Sequence, residues 1–229
     1  MKTIIGAEKN GKTCKPHRIH NSEKMTVNKL QSAYDEIADQ YDKKIWFDQY
    51  ILGVARLRKQ LMSKASGKIL DVACGTGLNI PLFPSGSDIT AIDLSSKMLE
   101  IARQRATKLN LNLNLAIMDA EHLEFPDGYF DTVVSALSTC TFPNPVKALQ
   151  EIKRVCRPDG LILLLEHGHS NLPWLARFQD RNEYQHYQDH AGCRWNQDSL
   201  DLVQSAGIKV FKSKRNILGM FHSIEATPA

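Results

Sequence analysis

The chain has 229 residues, a hydrophobic content of 42% and a formal net charge of +4, which suits one α/β domain with a helical extension. Lys and Arg are spread along the chain and do not form a basic stripe with interleaved aromatic residues, which argues against a nucleic-acid-binding protein. Five scattered cysteines without a C-x-x-C pair favour a reducing compartment, and no apolar run approaches membrane-spanning length. We therefore expect a cytoplasmic protein without a transmembrane anchor, and the sequence leaves its oligomeric state open.

The N-terminal part divides into a polar segment and a helical one. Residues 1–22 are polar and basic, and they predict a disordered segment ahead of a folded domain over 23–229. A helix is expected to begin at Ser22 as its N-cap. Its apolar face is predicted by residues at 3–4 spacing, namely Leu30, Tyr34, Ile37, Ala38 and Tyr41. With a second helix over 46–62, these residues predict a helical lid over 23–62.

Strand and helix patterns then alternate, which is typical of βαβ units and a parallel sheet. The predicted strands cover 68–73, 88–93, 113–118, 130–135 and 160–166, and the predicted helices cover 78–83, 95–109 and 145–156. An aromatic-rich insertion at 170–194 breaks the alternation. A final helix over 197–205 and two strands, 207–213 and 217–226, close the predicted domain.

A nucleoside-binding edge is predicted where the first two strands end. The first runs into a glycine turn at Gly75 and Gly77, and the second ends at Asp93. Ligands of open α/β sheets bind outside the carboxyl ends of the strands, and glycine lets the backbone approach them. The amides after the glycines are expected to open a helix whose N-terminus attracts an anion, and Asp93 can accept two hydrogen bonds from a ribose diol.

Several nucleotide cofactors are disfavoured by the same turn. The dinucleotide fingerprint needs a third glycine where this chain has Ile80, which argues against NAD and FAD, and the absence of G-K-S/T excludes a P-loop. Asp119 and Ala120 follow the third strand, where a carboxylate and an amide suit adenine, although Asp119 can also be read as a solvated turn residue. Leu94 and Met98 are expected to flank the adenine, with core packing as the other reading for Met98.

The D-x-x-x-G-x-G arrangement of Asp71, Gly75 and Gly77 resembles the first motif of class I S-adenosylmethionine (SAM) methyltransferases. The resemblance implies SAM as the cofactor and a Rossmann-like α/β fold, with a seven-stranded, mostly parallel sheet and helices on both faces. In that family the turn faces the methionine end of the cofactor, and the acid ending strand two holds the ribose. The residues expected to contact the cofactor are Tyr34, Tyr41, Asp71, Ala73, Gly75, Gly77, Asn79, Asp93, Leu94, Met98, Asp119, Ala120 and Ser135.

Two subgroups of that family are resembled more closely. The segment 34–42 resembles the Y-D-x-x-A-x-x-Y-D segment of ubiquinone/menaquinone-biosynthesis methyltransferases, in which an N-terminal helix covers the cofactor. Roughly residues 67–206 resemble the methyltransferase-like thiol S-methyltransferases, on motifs that include Gly75–Ile80, Leu137–Cys140, Glu166-His167 and Gly192-Cys193. This chain departs from the second subgroup by lacking its hydrophobic N-terminal anchor and by carrying Asp159 in its R-P-G-G turn.

These resemblances imply methyl transfer to a small, rather apolar acceptor, with a thiol favoured. The alternatives are a C-, O- or N-methyltransferase of a quinone or lipid head group, a non-catalytic SAM-binding module, and a nucleotide-dependent oxidoreductase, which Ile80 opposes. A cavity filled by side chains would favour the binding module.

The acceptor end of the site has fewer candidates. His167 is the candidate general base for a thiol, with Glu166 as its orienting partner, although both can equally make structural hydrogen bonds at a strand end. The insertion is expected to cap the acceptor pocket with Trp174, Phe178, Tyr184 and Tyr187. No clustered Cys/His ligand set is visible in the sequence, so no metal is expected.

Overall fold

The computed structural model describes residues 25–228, and a seven-stranded sheet forms its centre. The strands are β1 (Lys68–Val72), β2 (Asp88–Asp93), β3 (Asn114–Ile117), β4 (Phe130–Ala136), β5 (Cys156–His167), β6 (Lys209–Asn216) and β7 (Phe221–Thr227). Their order is β3-β2-β1-β4-β5-β7-β6. The pairings from β3 to β5 are parallel, whereas β7 is antiparallel to both β5 and β6. The predicted Rossmann-like, mostly parallel sheet is confirmed.

The described α-helices are α1 (Val27–Ile37), α2 (Tyr41–Lys44), α3 (Val54–Met62), α4 (Ser96–Lys108), α5 (Pro145–Val155), α6 (Pro173–Arg181), α7 (Glu183–Asp189) and α8 (Ser199–Ser205). α1 begins after Thr26, whose side chain accepts a hydrogen bond from the Lys29 amide at 3.3 Å. The predicted cap at Ser22 and the predicted disorder of 1–22 lie outside the described residues. None of the helices in the described part of the chain is long and apolar enough to cross a membrane.

The core lies on both faces of the sheet because alternate residues of the buried strands point to opposite sides. Leu70, Val133 and Ile162 belong to a cluster that includes residues of α5 and α8. Their chain neighbours Ile69, Val134 and Leu163 belong to a second cluster that includes residues of α3. All six side chains are fully buried. This rigid sheet fixes the relative positions of the loops that follow its strands.

The helix predicted over 78–83 is wrong. The chain after the glycines forms successive turns and a single 3₁₀ turn at Ile80–Leu82, because Pro81 lacks an amide proton and Pro84 follows closely. The predicted helix N-terminus at this turn is therefore also absent from the structure.

The helix predicted over 46–62 is broken into two. A π-helical turn spans Phe47–Ile51, and α3 begins after Gly53, whose φ of +81° is left-handed. The insertion at 170–194 contains α6 and α7, and the last two strands begin two to four residues later than predicted (209 against 207 and 221 against 217). β5 begins four residues earlier than predicted (156 against 160), and the other strands and helices of the sheet region lie close to their predicted positions.

Candidate cofactor and acceptor site

A cleft of about 870 Å³, including its open mouth, lies at the carboxyl ends of β1 to β4. The loops after these four strands form one side of it, and residues of α1 to α3 form the other. Nine of the expected cofactor residues line the cleft, namely Tyr34, Tyr41, Ala73, Gly75, Asp93, Leu94, Met98, Asp119 and Ala120. The sheet topology brings these residues together although they span almost ninety positions of sequence (34 to 120).

Asp93 connects the ends of β1 and β2. One carboxylate oxygen accepts a hydrogen bond from the Gly75 amide at 2.8 Å, and the other accepts one from the Ser95 amide at 2.9 Å. Burial raises the pKa of Asp93 to about 6, although these backbone hydrogen bonds oppose the shift. Each oxygen keeps capacity for a further hydrogen bond. The glycine turn and the acid thus form one polar unit on the cleft wall.

Two aspartates of the N-terminal segment fasten it to the other side of the cleft. Asp35 accepts a hydrogen bond from the Ser95 hydroxyl at 2.5 Å, and Asp42 accepts one from the Thr76 hydroxyl at 2.6 Å. Asp42 also forms a salt bridge with Arg105 of α4. Both aspartates belong to the Y-D…Y-D segment, whose pattern alone indicates no role for them. They hold α1 and α2 over the glycine turn.

The two tyrosines of that segment form an aromatic wall. Their ring centroids lie 6.1 Å apart, and both side chains line the cleft. Burial is the main cause that raises the pKa of both Tyr34 and Tyr41 above its ordinary value. Both hydroxyls are therefore neutral near pH 7, and the rings exclude water from this part of the cleft.

A buried polar chain lies behind the glycine turn. The Asn79 side-chain amide donates to Asp71 at 2.7 Å, and Arg58 donates to the side-chain oxygen of Asn79 at 2.5 Å. Arg58 is only 6% exposed, yet it lines the cleft, and its Nε has no hydrogen-bond partner among the described residues. Arg58 is not among the residues expected from the sequence motifs. The available signal was a charged residue on the inward face of α3.

The structure places four of the expected cofactor residues behind the lining of the cleft. Asp71 and Asn79 belong to the polar chain, and burial raises the pKa of Asp71 to about 7. Gly77 packs against α4, where an added Cβ would lie 3.1 Å from the Ala102 Cβ and 2.6 Å from the Ile80 side chain. Ser135 is fully buried, and its hydroxyl lies 3.2 Å from a carboxylate oxygen of Glu166. These positions support the wall from behind.

Glu166 has a different environment from the one expected. Its carboxylate is fully buried, and it accepts hydrogen bonds from Ser135, from both the amide and hydroxyl of Thr139, and from the Ser138 amide, at 2.8 to 3.2 Å. The expected orienting bond to His167 is therefore replaced by bonds to the loop after β4, because that loop folds back over the end of β5. Glu166 shapes this loop, and it does not line the cleft.

His167 also lies outside the lining of the cleft, beside two thiols. Its Nδ1 lies 3.5 Å from the sulfur of Cys193, which in turn lies 3.3 Å from the sulfur of Cys140. The ring also packs against Phe221, with centroids 5.1 Å apart. A role as general base would require an acceptor to reach this cluster.

The aromatic residues of the insertion do not line the cleft. Trp174, Phe178 and Tyr184 are exposed, and the Tyr187 hydroxyl accepts a hydrogen bond from the Met25 amide at 2.9 Å. The insertion is anchored instead by the buried side chain of Gln179, which bonds to the backbone of Ser170, Gly168 and Trp195. This polar anchor turns the apolar faces of the short helices outward.

Comparisons with known proteins agree with this geometry. A family model described as a methyltransferase domain matches residues 70–164. The chain is 30% identical over 214 residues to the ubiquinone/menaquinone biosynthesis C-methyltransferase UbiE of Bordetella avium, covering 80% of each protein. It is 29% identical over 218 residues to methyltransferase OMS1, mitochondrial, of Saccharomyces cerevisiae, covering 87% of this chain and 46% of that protein.

Two further proteins resemble this chain, one over a shorter stretch of sequence and one in its fold. The chain is 39% identical over 103 residues to the phosphatidylethanolamine N-methyltransferase of Cereibacter sphaeroides, covering 44% of this chain and 51% of that protein. It thus spans about half the length of this relative and of the yeast one. The crystal structure of the cyclase SpnF shares the fold with a TM-score of 0.71 at 17% identity, covering 88% of this chain and 96% of that one. The match to UbiE, which covers 80% of each protein, agrees with the glycine turn and the sheet order. The chain therefore belongs to the class I S-adenosylmethionine-dependent methyltransferases.

Proposed function

We propose that this chain transfers the methyl group of SAM to a small, largely apolar acceptor. The observation that carries the proposal is the bond between Asp93 and the Gly75 amide within the cleft. It supports a ribose held by the Asp93 carboxylate directly beside a backbone that is free of side-chain atoms. The cleft is open to solvent between the loops after β1 to β4 and the residues of α1 to α3, so side chains do not fill it. This open volume favours an enzyme over a binding module whose cavity is filled.

The cofactor is proposed to lie with its adenine between Leu94 and Met98 and near Asp119 and Ala120, all on the cleft lining. Its methionine carboxylate is proposed to meet Arg58, whose buried guanidinium has an unpartnered Nε. An anion is the natural partner of such a group because an unpaired buried charge is costly. Arg58 thus takes the role that the sequence analysis gave to a helix N-terminus.

The protein's contribution to the reaction is orientation and exclusion of water. The sulfonium methyl is already activated, so the acceptor must be held in line with the methyl–sulfur bond. Positioning of this kind can supply roughly 7–11 kcal/mol of the barrier. The acceptor atom forms its bond to the methyl carbon as the methyl–sulfur bond breaks, which leaves S-adenosylhomocysteine (SAH). The rings of Tyr34 and Tyr41, which line the cleft, are suited to keeping water from this step.

Two acceptor classes are proposed, with a thiol first. The thiol is supported by the subgroup motifs around Cys140, His167 and Cys193, and these three side chains meet in space. A quinone or lipid head group is the second candidate, supported by the UbiE and phosphatidylethanolamine N-methyltransferase names of the relatives. The mitochondrial name of the yeast relative also makes the compartment a point to test, and cytoplasmic remains a prediction.

A panel of small thiols, phenols, amines and demethylated quinones, each with methyl-labelled SAM, tests this proposal. We expect label transfer to one class, thiols first, and loss of transfer in Asp93→Asn. Asp88→Asn, at the exposed opposite end of β2, is the matched control and should keep activity. Tight SAH binding with no transfer to any class would favour the binding module, and absence of SAH binding would refute the cofactor site.

A further inference from the structure

Three side chains with soft or nitrogen ligand atoms meet at the carboxyl end of the sheet. Cys140 comes from the loop after β4, His167 ends β5, and Cys193 follows α7. The ligand atoms of all three lie within 4.8 Å of one another. The two sulfurs are 3.3 Å apart, and the Cys193 sulfur is 3.5 Å from the His167 Nδ1. These residues are up to fifty-three positions apart in sequence, so no local motif revealed the group.

These separations suit one tetrahedral ion. With zinc–sulfur bonds of about 2.3 Å and zinc–nitrogen bonds of about 2.0–2.1 Å, tetrahedral angles place two sulfurs about 3.8 Å apart and a sulfur and a nitrogen about 3.6 Å apart. To reach these values the two sulfurs would move apart by about 0.5 Å and the Cys193 sulfur and the His167 Nδ1 by about 0.1 Å, and all pairs of ligand atoms already lie within 4.8 Å. Two thiolates and an imidazole are ligands that select zinc over magnesium or calcium.

The backbone around the group holds the three residues in place. The Arg194 amide donates to the Cys140 carbonyl at 2.9 Å, which fastens the end of the insertion to the loop after β4. The Leu137 amide donates to the Leu165 carbonyl at 2.7 Å, which fastens that loop to β5. Glu166, the residue before His167, holds Ser138 and Thr139. The ligand atoms are therefore preorganised by three separate sets of hydrogen bonds.

The group lies next to the cleft, although none of its three side chains lines it. Ser138 and Thr141, on either side of Cys140 in sequence, both line the cleft. A ligand bound to the group would thus be close to the proposed methyl donor.

We propose that Cys140, His167 and Cys193 bind a zinc ion through three protein ligands. Three ligands leave the fourth tetrahedral position to water or to a small ligand, which is the arrangement of catalytic rather than structural zinc sites. The site accounts for two buried thiols held beside an imidazole. If methyl transfer to a thiol is correct, an acceptor thiol bound at the fourth position would lose its proton to solvent and present a thiolate to the sulfonium methyl. That last consequence rests on the proposed function, whereas zinc binding does not.

The test measures metal in the full chain, purified under reducing conditions without chelator and without a histidine tag. Mass spectrometry of the metal content should find one zinc ion per chain, and Cys140→Ser and Cys193→Ser should each reduce it to background. Cys156→Ser, a buried cysteine outside the group, and Cys14→Ser should both retain it. Cobalt(II) added to chelator-treated wild-type protein should give the thiolate-to-metal absorption and the intense visible bands of a tetrahedral site, a readout that needs no variant to fold.

Three results would overturn the zinc site. The first is wild-type protein with background zinc and no thiolate band on addition of cobalt(II). The second is zinc that stays at one ion per chain in Cys140→Ser or in Cys193→Ser. A Cys140–Cys193 disulfide that persists under the reducing conditions would also contradict it, and intact-mass measurement detects that bond. None of these results depends on SAM binding, so failure of the zinc site and failure of the methyltransferase proposal are distinguishable.

Discussion

Asp93 accepts a hydrogen bond from the amide of Gly75 at 2.8 Å, so the acid that ends β2 holds the glycine turn that follows β1. The bond makes the two strand ends one unit on the cleft wall. It also fixes the carboxylate, because the second oxygen is held by the Ser95 amide at 2.9 Å. The proposed cofactor site depends on this relationship more than on any other.

Replacing Asp93 by asparagine should weaken binding of SAH. The amide group offers one acceptor oxygen and carries no charge, so at least one charge-assisted hydrogen bond to the ribose is lost. Such bonds are worth about 1.5–3 kcal/mol, which corresponds to a loss of affinity of roughly 10- to 150-fold. Isothermal titration calorimetry checks this, with Asp88→Asn as the control that should bind like wild type. Equal affinities in all three proteins would remove Asp93 from the ribose site.

Arg58→Met should discriminate between two ligands. SAH carries the methionine-type carboxylate, whereas 5′-methylthioadenosine keeps the adenosine and the sulfur but lacks that carboxylate. We expect the affinity for SAH to fall by roughly 10- to 150-fold and the affinity for methylthioadenosine to stay within about twofold. Arg56→Met, an exposed position on the same helix α3, is the matched control. Equal losses for both ligands would instead indicate that Arg58 supports the fold through Asn79.

Alanine at Gly77 should mainly lower stability, whereas alanine at Gly75 should mainly weaken SAH binding. Both have left-handed φ, +57° at Gly75 and +80° at Gly77, so both variants carry about 1–2 kcal/mol of backbone strain. At Gly77 the new Cβ also meets Ile80 and Ala102, which adds roughly 1–3 kcal/mol, whereas at Gly75 no atom lies within 4 Å. Gly77→Ala should therefore have the lower urea midpoint, and Gly75→Ala should lose more SAH affinity because its methyl enters the cleft. The reverse order in either measurement would contradict this assignment.

Asp71 should make the stability of the ligand-free protein depend on pH. Its pKa is raised by burial to about 7 in the folded state, above its ordinary value of 3.8, so the folded state binds this proton more tightly. The free energy of unfolding then falls as pH rises from about 4 to about 7, and the contribution is lost above that range. In Asp71→Asn, the decrease in the free energy of unfolding over this pH range should be smaller by up to about 4 kcal/mol. Part of the decrease should remain, because the pKa of Asp93 is also raised in the folded state. Urea unfolding at several pH values measures this difference. The same pH dependence of the unfolding free energy in wild type and Asp71→Asn would contradict the prediction.

Much of the fold follows from the sequence because each buried strand is a short apolar run bounded by turn residues. Residues 161–165, for example, are apolar throughout and form the centre of β5. The glycine turn and Asp93 could also be placed together, because parallel strands end at one edge of the sheet. The helix predicted over 78–83 does not form, because Pro81 and Pro84 oppose the helical conformation that the apolar residues there indicate.

The acceptor end was harder to predict because it depends on contacts between loops distant in sequence. Glu166 and His167 are adjacent in the chain, but alternation along β5 sends one carboxylate to the loop after β4 and the imidazole to Cys193. Likewise, Arg58 reaches the cleft from α3, which begins after the left-handed Gly53 and not within the single helix predicted over 46–62. No spacing rule in a single sequence encodes such contacts.

A crystal structure of the chain with bound SAH tests the central claim most directly. We expect the two ribose hydroxyls within hydrogen-bonding distance of the Asp93 carboxylate, with the homocysteine carboxylate near Arg58 and the sulfur directed toward Tyr34 and Tyr41. A nucleoside bound elsewhere, with the cleft beside Gly75 and Asp93 empty at saturating SAH, would contradict the account.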